Sequence, residues 1–123
     1  MSEEMFLGKE TTVLDDHNSL IEVKKGQDGL IWSEVYLSTD REKDYIGLYV
    51  IDGNPHCREW ITYNKNYVAI LSQINTGKEE FPPRIARMYD VRTKQFLKGT
   101  QEELRYVYDF VMNCEETKGE STK

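Results

Sequence analysis

The sequence carries two cysteines, two histidines and three prolines among 123 residues, and each shortage removes a class of structure. With only Cys57 and Cys114 no disulfide framework can be built, so the fold must rest on a packed core, and both cysteines are expected as free thiols. Pro55, Pro82 and Pro83 give no proline-rich linker that would divide the chain. No apolar run approaches the roughly 20 residues that span a bilayer, and the opening Met1-Ser2-Glu3-Glu4 lacks the basic and apolar stretches of a secretion signal. A cytoplasmic protein without membrane contact is expected. The glycines never fall in G-x-G-x-x-G or G-x-x-x-x-G-K, so no phosphate cradle is written here.

What remains is enough for one domain, which at this length buries roughly two-thirds of its unfolded surface. The net charge of -6 favours solubility and repels phosphate backbones overall. That average hides a reversal: residues 84–98 carry Arg84, Arg87, Arg92, Lys94 and Lys98 against the single acid Asp90. Residues 1–18 are polar with scattered apolar side chains and are expected to be loosely ordered, 19–115 to form one α+β domain, and 116–123 to be a disordered tail.

Between the ends, apolar and polar residues alternate in short runs, the period of half-buried strands. Seven runs qualify: 19–24, 30–38, 45–51, 57–63, 67–74, 85–91 and 95–98. The turns between them, KKGQDG, TDREK, DGNP, Asn64-Lys65-Asn66 and Arg92-Thr93-Lys94, are mostly short, which implies antiparallel neighbours. The helix signal is stronger. Thr100-Gln101-Glu102-Glu103 forms a capping box, and Leu104, Val107, Tyr108, Val111 and Met112 follow at helical spacing as one apolar stripe. The expected architecture is a mainly antiparallel sheet of about six to seven strands in a meander, flat or curled into a roll or half-barrel, with one C-terminal helix packed on it. Strands followed by a helix in this order resemble pleckstrin-homology-like domains, by element order alone and through no motif.

Strand parity then separates two surfaces. On one lie Ile31, Val35, Leu37, Ile46, Leu48, Val50, Trp60, Val68, Ile70 and Ile74, an aliphatic face suited to the helix. On the other lie Trp32, Glu34, Tyr36, Tyr45, Gly47, Tyr49, Glu59, Ile61, Tyr63, Tyr67, Ala69 and Leu71, with Tyr63 expected opposite Tyr67. Aromatic side chains join a large apolar area to a polar tip and recur at binding hot spots. Trp32, Tyr36, Tyr45, Tyr49, Tyr63 and Tyr67 are therefore the candidate partner-binding residues of this face, and Arg84, Arg87, Arg92 and Lys94 those of a basic hairpin.

Chemistry is thinly represented. His17, His56, Cys57 and Cys114 do not come in the close ligand pairs of structural zinc sites, and Asp40, Glu42 and Asp44 have Tyr45 where a calcium loop needs glycine. No metal or cofactor is expected. The expected function is a non-enzymatic protein-interaction module, possible forms being an adaptor or an acidic inhibitor, with another protein or a second copy as partner. Two alternatives belong to other classes: single-stranded nucleic-acid binding through residues 84–98 with Tyr89 or Phe96 stacking, and a small enzyme using His17, His56 or Cys57.

Overall fold

The structure is a computed structural model that describes residues 3–77 and 81–121, with the helical backbone alone over 113–121. Eight strands precede one helix: β1 (Met5–Val13), β2 (Ser19–Gln27), β3 (Leu30–Ser38), β4 (Lys43–Asp52), β5 (Cys57–Tyr63), β6 (Tyr67–Ile74), β7 (Arg84–Asp90), β8 (Gln95–Phe96) and α1 (Gln101–Ser121). The α+β class and the antiparallel meander are as expected, but the strands divide into two sheets, β1-β2-β3-β4 and β5-β6-β7-β8.

The extra strand lies where the sequence promises only a loose segment. β1 pairs with β2 from Met5↔Gly26 to Val13↔Ser19, yet most of its side chains are exposed. Its order comes from the backbone ladder and not from burial, so no apolar alternation announces it. The helix likewise continues past residue 115, through 116–121, where a disordered tail is expected. Residues 122–123 lie outside the described residues.

The sheets part at Asp52-Gly53-Asn54-Pro55. Gly53 has φ +104°, and a Cβ there would sit 2.4 Å from the Gly29 carbonyl oxygen, so the sharp exit from β4 requires glycine. β5 then runs beside β4 without forming a ladder with it. In place of a strand partner, the Val50 amide donates to the Glu59 carboxylate at 2.6 Å. A side chain satisfies the backbone donor and the two sheets are free to diverge.

Two cores follow. Between the sheets, Leu20, Val35, Leu37 and Ile46 of the first meet Val68, Ile70, Tyr89 and Val91 on the second. Behind the second sheet, Ala69, Leu71, Ile85 and Met88 meet Met112, with Leu104, Val107, Tyr108 and Val111 packed alongside. The molecule is thus three layers: first sheet, second sheet, helix. The helix stripe is the one read from sequence, but its seat is reversed. It covers Ala69 and Leu71, expected on the open face, while Val68 and Ile70 are buried against the first sheet. Both faces of β6 are apolar, and alternation alone does not say which one meets the helix.

The capping box forms as written. The Glu103 amide donates to the Thr100 hydroxyl at 3.2 Å and the Thr100 amide to the Glu103 carboxylate at 3.0 Å, which holds the Glu103 carboxyl below its ordinary range. The Gln101 side chain donates to the Ile85 carbonyl and accepts from the Ile85 amide, at 2.8 and 3.0 Å, fixing the start of the helix on β7. No helix among the described residues is long and apolar enough to cross a membrane.

Candidate docking face on the first sheet

Register defines the outer face of the first sheet, the one turned away from the second. Residues directly opposite in antiparallel strands share a face. Thr11, Ile21, Tyr36 and Tyr45 form one such row, Lys9, Val23, Glu34 and Leu48 the next, and Phe6, Lys25, Trp32 and Val50 a third. The inner rows hold Leu20 with Leu37 and Glu22 with Val35. Outer positions of a two-sheet packing ordinarily carry polar side chains. Here Phe6, Tyr45 and Leu48 are exposed, and Trp32, Tyr36, Val23 and Val50 are half-buried, with none of the described residues laid over them as α1 is over the second sheet.

Hydrogen bonds to one carboxylate fix the centre of this face. Glu34 accepts from the Trp32 indole at 3.2 Å, from the Tyr36 hydroxyl at 3.0 Å and from the Lys25 ammonium at 3.2 Å. Burial pushes the Glu34 carboxyl up, but the Trp32, Lys25 and Tyr36 donors outweigh it and hold the group below its ordinary range. Burial, followed by the Glu34 bond, raises the Tyr36 phenol. Lys25 also reaches Glu4 at 2.9 Å, and the two carboxylates, Glu4 first, raise its ammonium well above the usual lysine range. Lys43 lies 4.4 Å from the Tyr36 ring centroid, and the Tyr36 and Tyr45 rings stand 5.4 Å apart at 59°. The two aromatic tips are immobilised by an acid that is itself satisfied. Beside them Leu30, Trp32, Leu48 and Val50, with Gln27 and Asp28 at the rim, line an open concavity of about 460 Å³.

Of the six aromatic residues read from sequence, Trp32, Tyr36 and Tyr45 share this face, and Tyr49, Tyr63 and Tyr67 do not. A bulge explains Tyr49. Val35 pairs with Gly47 and Tyr36 with Tyr45, so Ile46 is an extra residue in β4, and the alternation reverses between Tyr45 and Tyr49. Tyr49 turns inward and its hydroxyl bonds Glu22, a nearly buried carboxylate that also receives the Ser33 hydroxyl at 3.1 Å. Burial, then the Glu22 bond, pushes the Tyr49 phenol far above its usual range. The same bulge sends Ile46 into the core and Leu48 out of it. Tyr63 pairs with Val68 and not with Tyr67, because the Asn64 carboxamide accepts from both the Asn66 and Tyr67 amides at 2.8 Å and the Asn64 amide donates to the Tyr67 carbonyl at 2.9 Å, which sets Tyr67 opposite Asn64. Tyr63 therefore lies on the Val68 side of the second sheet, and Tyr67 on the helix side.

Phe6, Ile21, Val23, Leu48 and Val50 were missed by sequence reasoning. Adjacent apolar pairs such as Leu20-Ile21 and Tyr49-Val50 carry the signal: a strand with apolar neighbours in sequence presents apolar groups to both sides.

The basic hairpin is not one track. Arg92 donates to the Tyr67 hydroxyl at 2.9 Å and stacks over that ring on the helix side, while Arg87 lies over Phe96 and against Gly47 and Ile70 on the side of the first sheet. Arg84 and Lys94 are exposed, on β7 and in the turn before β8. Tyr89 is buried and Phe96 meets its ring edge-on at 5.0 Å, so Tyr89 offers no free ring face.

The residues named for catalysis are also apart. His17 Nδ1 lies 2.9 Å from an Asp40 carboxylate oxygen, both well exposed, in the turns that precede β2 and β4. His56 and Cys57 follow the far end of β4, a ten-residue strand, on the order of 30 Å away at strand rise. Cys57 is a free thiol, and the Cys114 side chain lies outside the described residues. No group of three or more His, Cys, Asp or Glu side chains able to hold a metal occurs among the described residues.

Compared with known proteins, the chain matches no family model, no curated protein and no solved structure.

Proposed function

We propose that the protein is a non-enzymatic protein-interaction module and that it binds its partner on the outer face of β1–β4. One observation carries this reading: all three central rows of that face hold apolar or aromatic side chains, and all of these but the buried Ile21 are exposed or half-buried, where a solvated sheet face would be polar. The Glu34 cluster adds rigidity. Trp32 and Tyr36 are held in place before any partner arrives, which reduces the ordering cost of association. The residues assigned to contact are Trp32, Tyr36, Tyr45, Leu48 and Val50, with Phe6 at the β1 edge.

A photo-crosslinking side chain at Tyr45 tests the assignment in the intact protein. It is expected to trap a protein partner in the source cells, and Leu48→Asp, which adds a charge at an exposed position, is expected to abolish the adduct while the protein still unfolds cooperatively, with a melting temperature far closer to that of the unaltered protein than Leu71→Ala shows. The same crosslinker at Lys65, exposed in the β5–β6 turn, is expected to trap nothing. An adduct from Lys65 and none from Tyr45 rejects the face.

A further inference from the structure

We infer that the occupant of this face is an amphipathic helix of a partner protein whose apolar stripe is bordered by carboxylates. The inference rests on the docking reading above and supplies the partner's chemistry.

The shape argument comes from the molecule itself. The second sheet closes its outer face with α1, whose Leu104, Val107, Tyr108, Val111 and Met112 lie over Ala69, Leu71, Ile85 and Met88. The first sheet has the same strand count and an outer face on which Ile21, Val23, Trp32, Leu48 and Val50 lie among Lys9, Lys25 and Glu34. Four strands span about 14 Å between outer axes, which accommodates one helix of roughly 10–12 Å diameter. The concavity at Leu30, Trp32, Leu48 and Val50 is a seat for one large apolar side chain of that helix.

Charge fixes the border. In a protein of net charge -6, the outer face presents Lys9, Lys25 and Lys43; of the acids beside them Glu34 is already satisfied by three donors, Glu4 is paired with Lys25, and Asp28 lies at the rim of the concavity. Lys25 is shared between Glu34 and Glu4, whereas Lys9 and Lys43 form no ion pair among the described residues. The neighbouring acid Asp44 points elsewhere, since it pairs with inward Leu37 and its charge is felt by buried Tyr89. An acidic border is therefore complementary.

The other occupants fit less well. Two-fold pairing of this face with a second copy gathers Lys9, Lys25 and Lys43 of both copies into one interface. A nucleic-acid strand meets the Glu34 carboxylate at the centre, and the Tyr36 ring, already flanked by Lys43 and Tyr45, is not a free stacking platform.

The test uses the full chain and a labelled peptide of about 18 residues, long enough to hold a helix, with a leucine stripe flanked by glutamates. Its controls are the same peptide with lysine for glutamate, and an oligothymidine. Anisotropy and amide chemical-shift mapping are the readouts. The glutamate peptide is expected to bind, to shift Val23, Leu48 and Val50 amides, and to bind less tightly as salt rises. Lys9→Glu combined with Lys43→Glu is expected to weaken it about 10- to 100-fold, while Lys65→Glu leaves it unchanged.

Equal or tighter binding of the lysine peptide overturns the acidic border, and tighter binding of oligothymidine overturns the protein partner. A concentration-dependent dimer lost in Leu48→Asp overturns the helix in favour of a second copy. Absence of glutamate-peptide binding overturns the inference, and the Tyr45 crosslink then separates the two failures: an adduct keeps the docking face, and its loss removes both.

Discussion

Leu48 and Leu71 exchange places between what alternation suggests and what the three-layer packing does, and this exchange yields the most informative measurement. Leu71 is 4% exposed, beneath α1, and Leu48 is 44% exposed, on the outer face of the first sheet. Full burial of a leucine stabilises by about 1.5–3 kcal/mol, and truncation in a closed core adds the cost of the cavity, so Leu71→Ala is expected to lose roughly 2–5 kcal/mol. At Leu48 nearly half of the side chain is already in water and truncation leaves no enclosed void, so Leu48→Ala should lose about 1 kcal/mol or less. For a chain of this size, about 3–6 °C of melting temperature corresponds to each kcal/mol, which separates a fall of roughly 6–30 °C from one of at most about 6 °C. Urea unfolding followed by circular dichroism gives the same comparison through the midpoint, provided the slope is unchanged. If Leu48→Ala is destabilised as much as Leu71→Ala, then the outer face of the first sheet is covered core, and both the layer order and the docking face are wrong.

Gly53→Ala should lose about 1–3 kcal/mol, because its methyl meets the Gly29 carbonyl at a positive φ, whereas Gly77→Ala, with φ +82° and open space around it, should lose about 1 kcal/mol or less; equal losses in urea unfolding would remove the argument for the β4 exit. Tyr49→Phe should cost about 1–3 kcal/mol by leaving the nearly buried Glu22 with the Ser33 hydroxyl as its remaining donor here, and an unchanged urea midpoint would show that the inward turn after the β4 bulge is wrong. Glu34 gives a pH signature. Its carboxyl is depressed in the folded protein, so its contribution is present above the ordinary value of 4.5 and is lost as pH falls through the lower folded value. Glu34→Gln is therefore expected to flatten part of the acid limb of stability below about pH 4.5, and a limb identical to that of the unaltered protein counts against the Trp32–Glu34–Tyr36–Lys25 cluster.

The local signals were legible because they depend on neighbours a few residues apart. Thr100 and Glu103 cap a helix whatever it packs on, and Leu104, Val107, Tyr108, Val111 and Met112 fall on one stripe by the helical period alone. Trp32 and Tyr36 share a face with Glu34 because two-residue spacing on an unbroken strand guarantees it. Tyr45 joins them only through the β3–β4 register, and Tyr49 leaves them because Ile46 bulges between the two tyrosines. A bulge is an event in hydrogen bonding between strands, and no residue type in Tyr45-Ile46-Gly47-Leu48-Tyr49 requires it.

By itself, then, the sequence determined the kinds of element, their antiparallel succession, the helix start and the helix stripe, since propensity, capping and side-chain period act over a few residues. Tertiary structure alone decided that the meander divides after β4, that the helix seats on Ala69 and Leu71, and that the first sheet keeps an apolar face turned outward. The physical reason is that β6 and the first sheet are apolar on both sides. Which side is buried depends on which layer reaches it, and that is set by the geometry of the whole molecule.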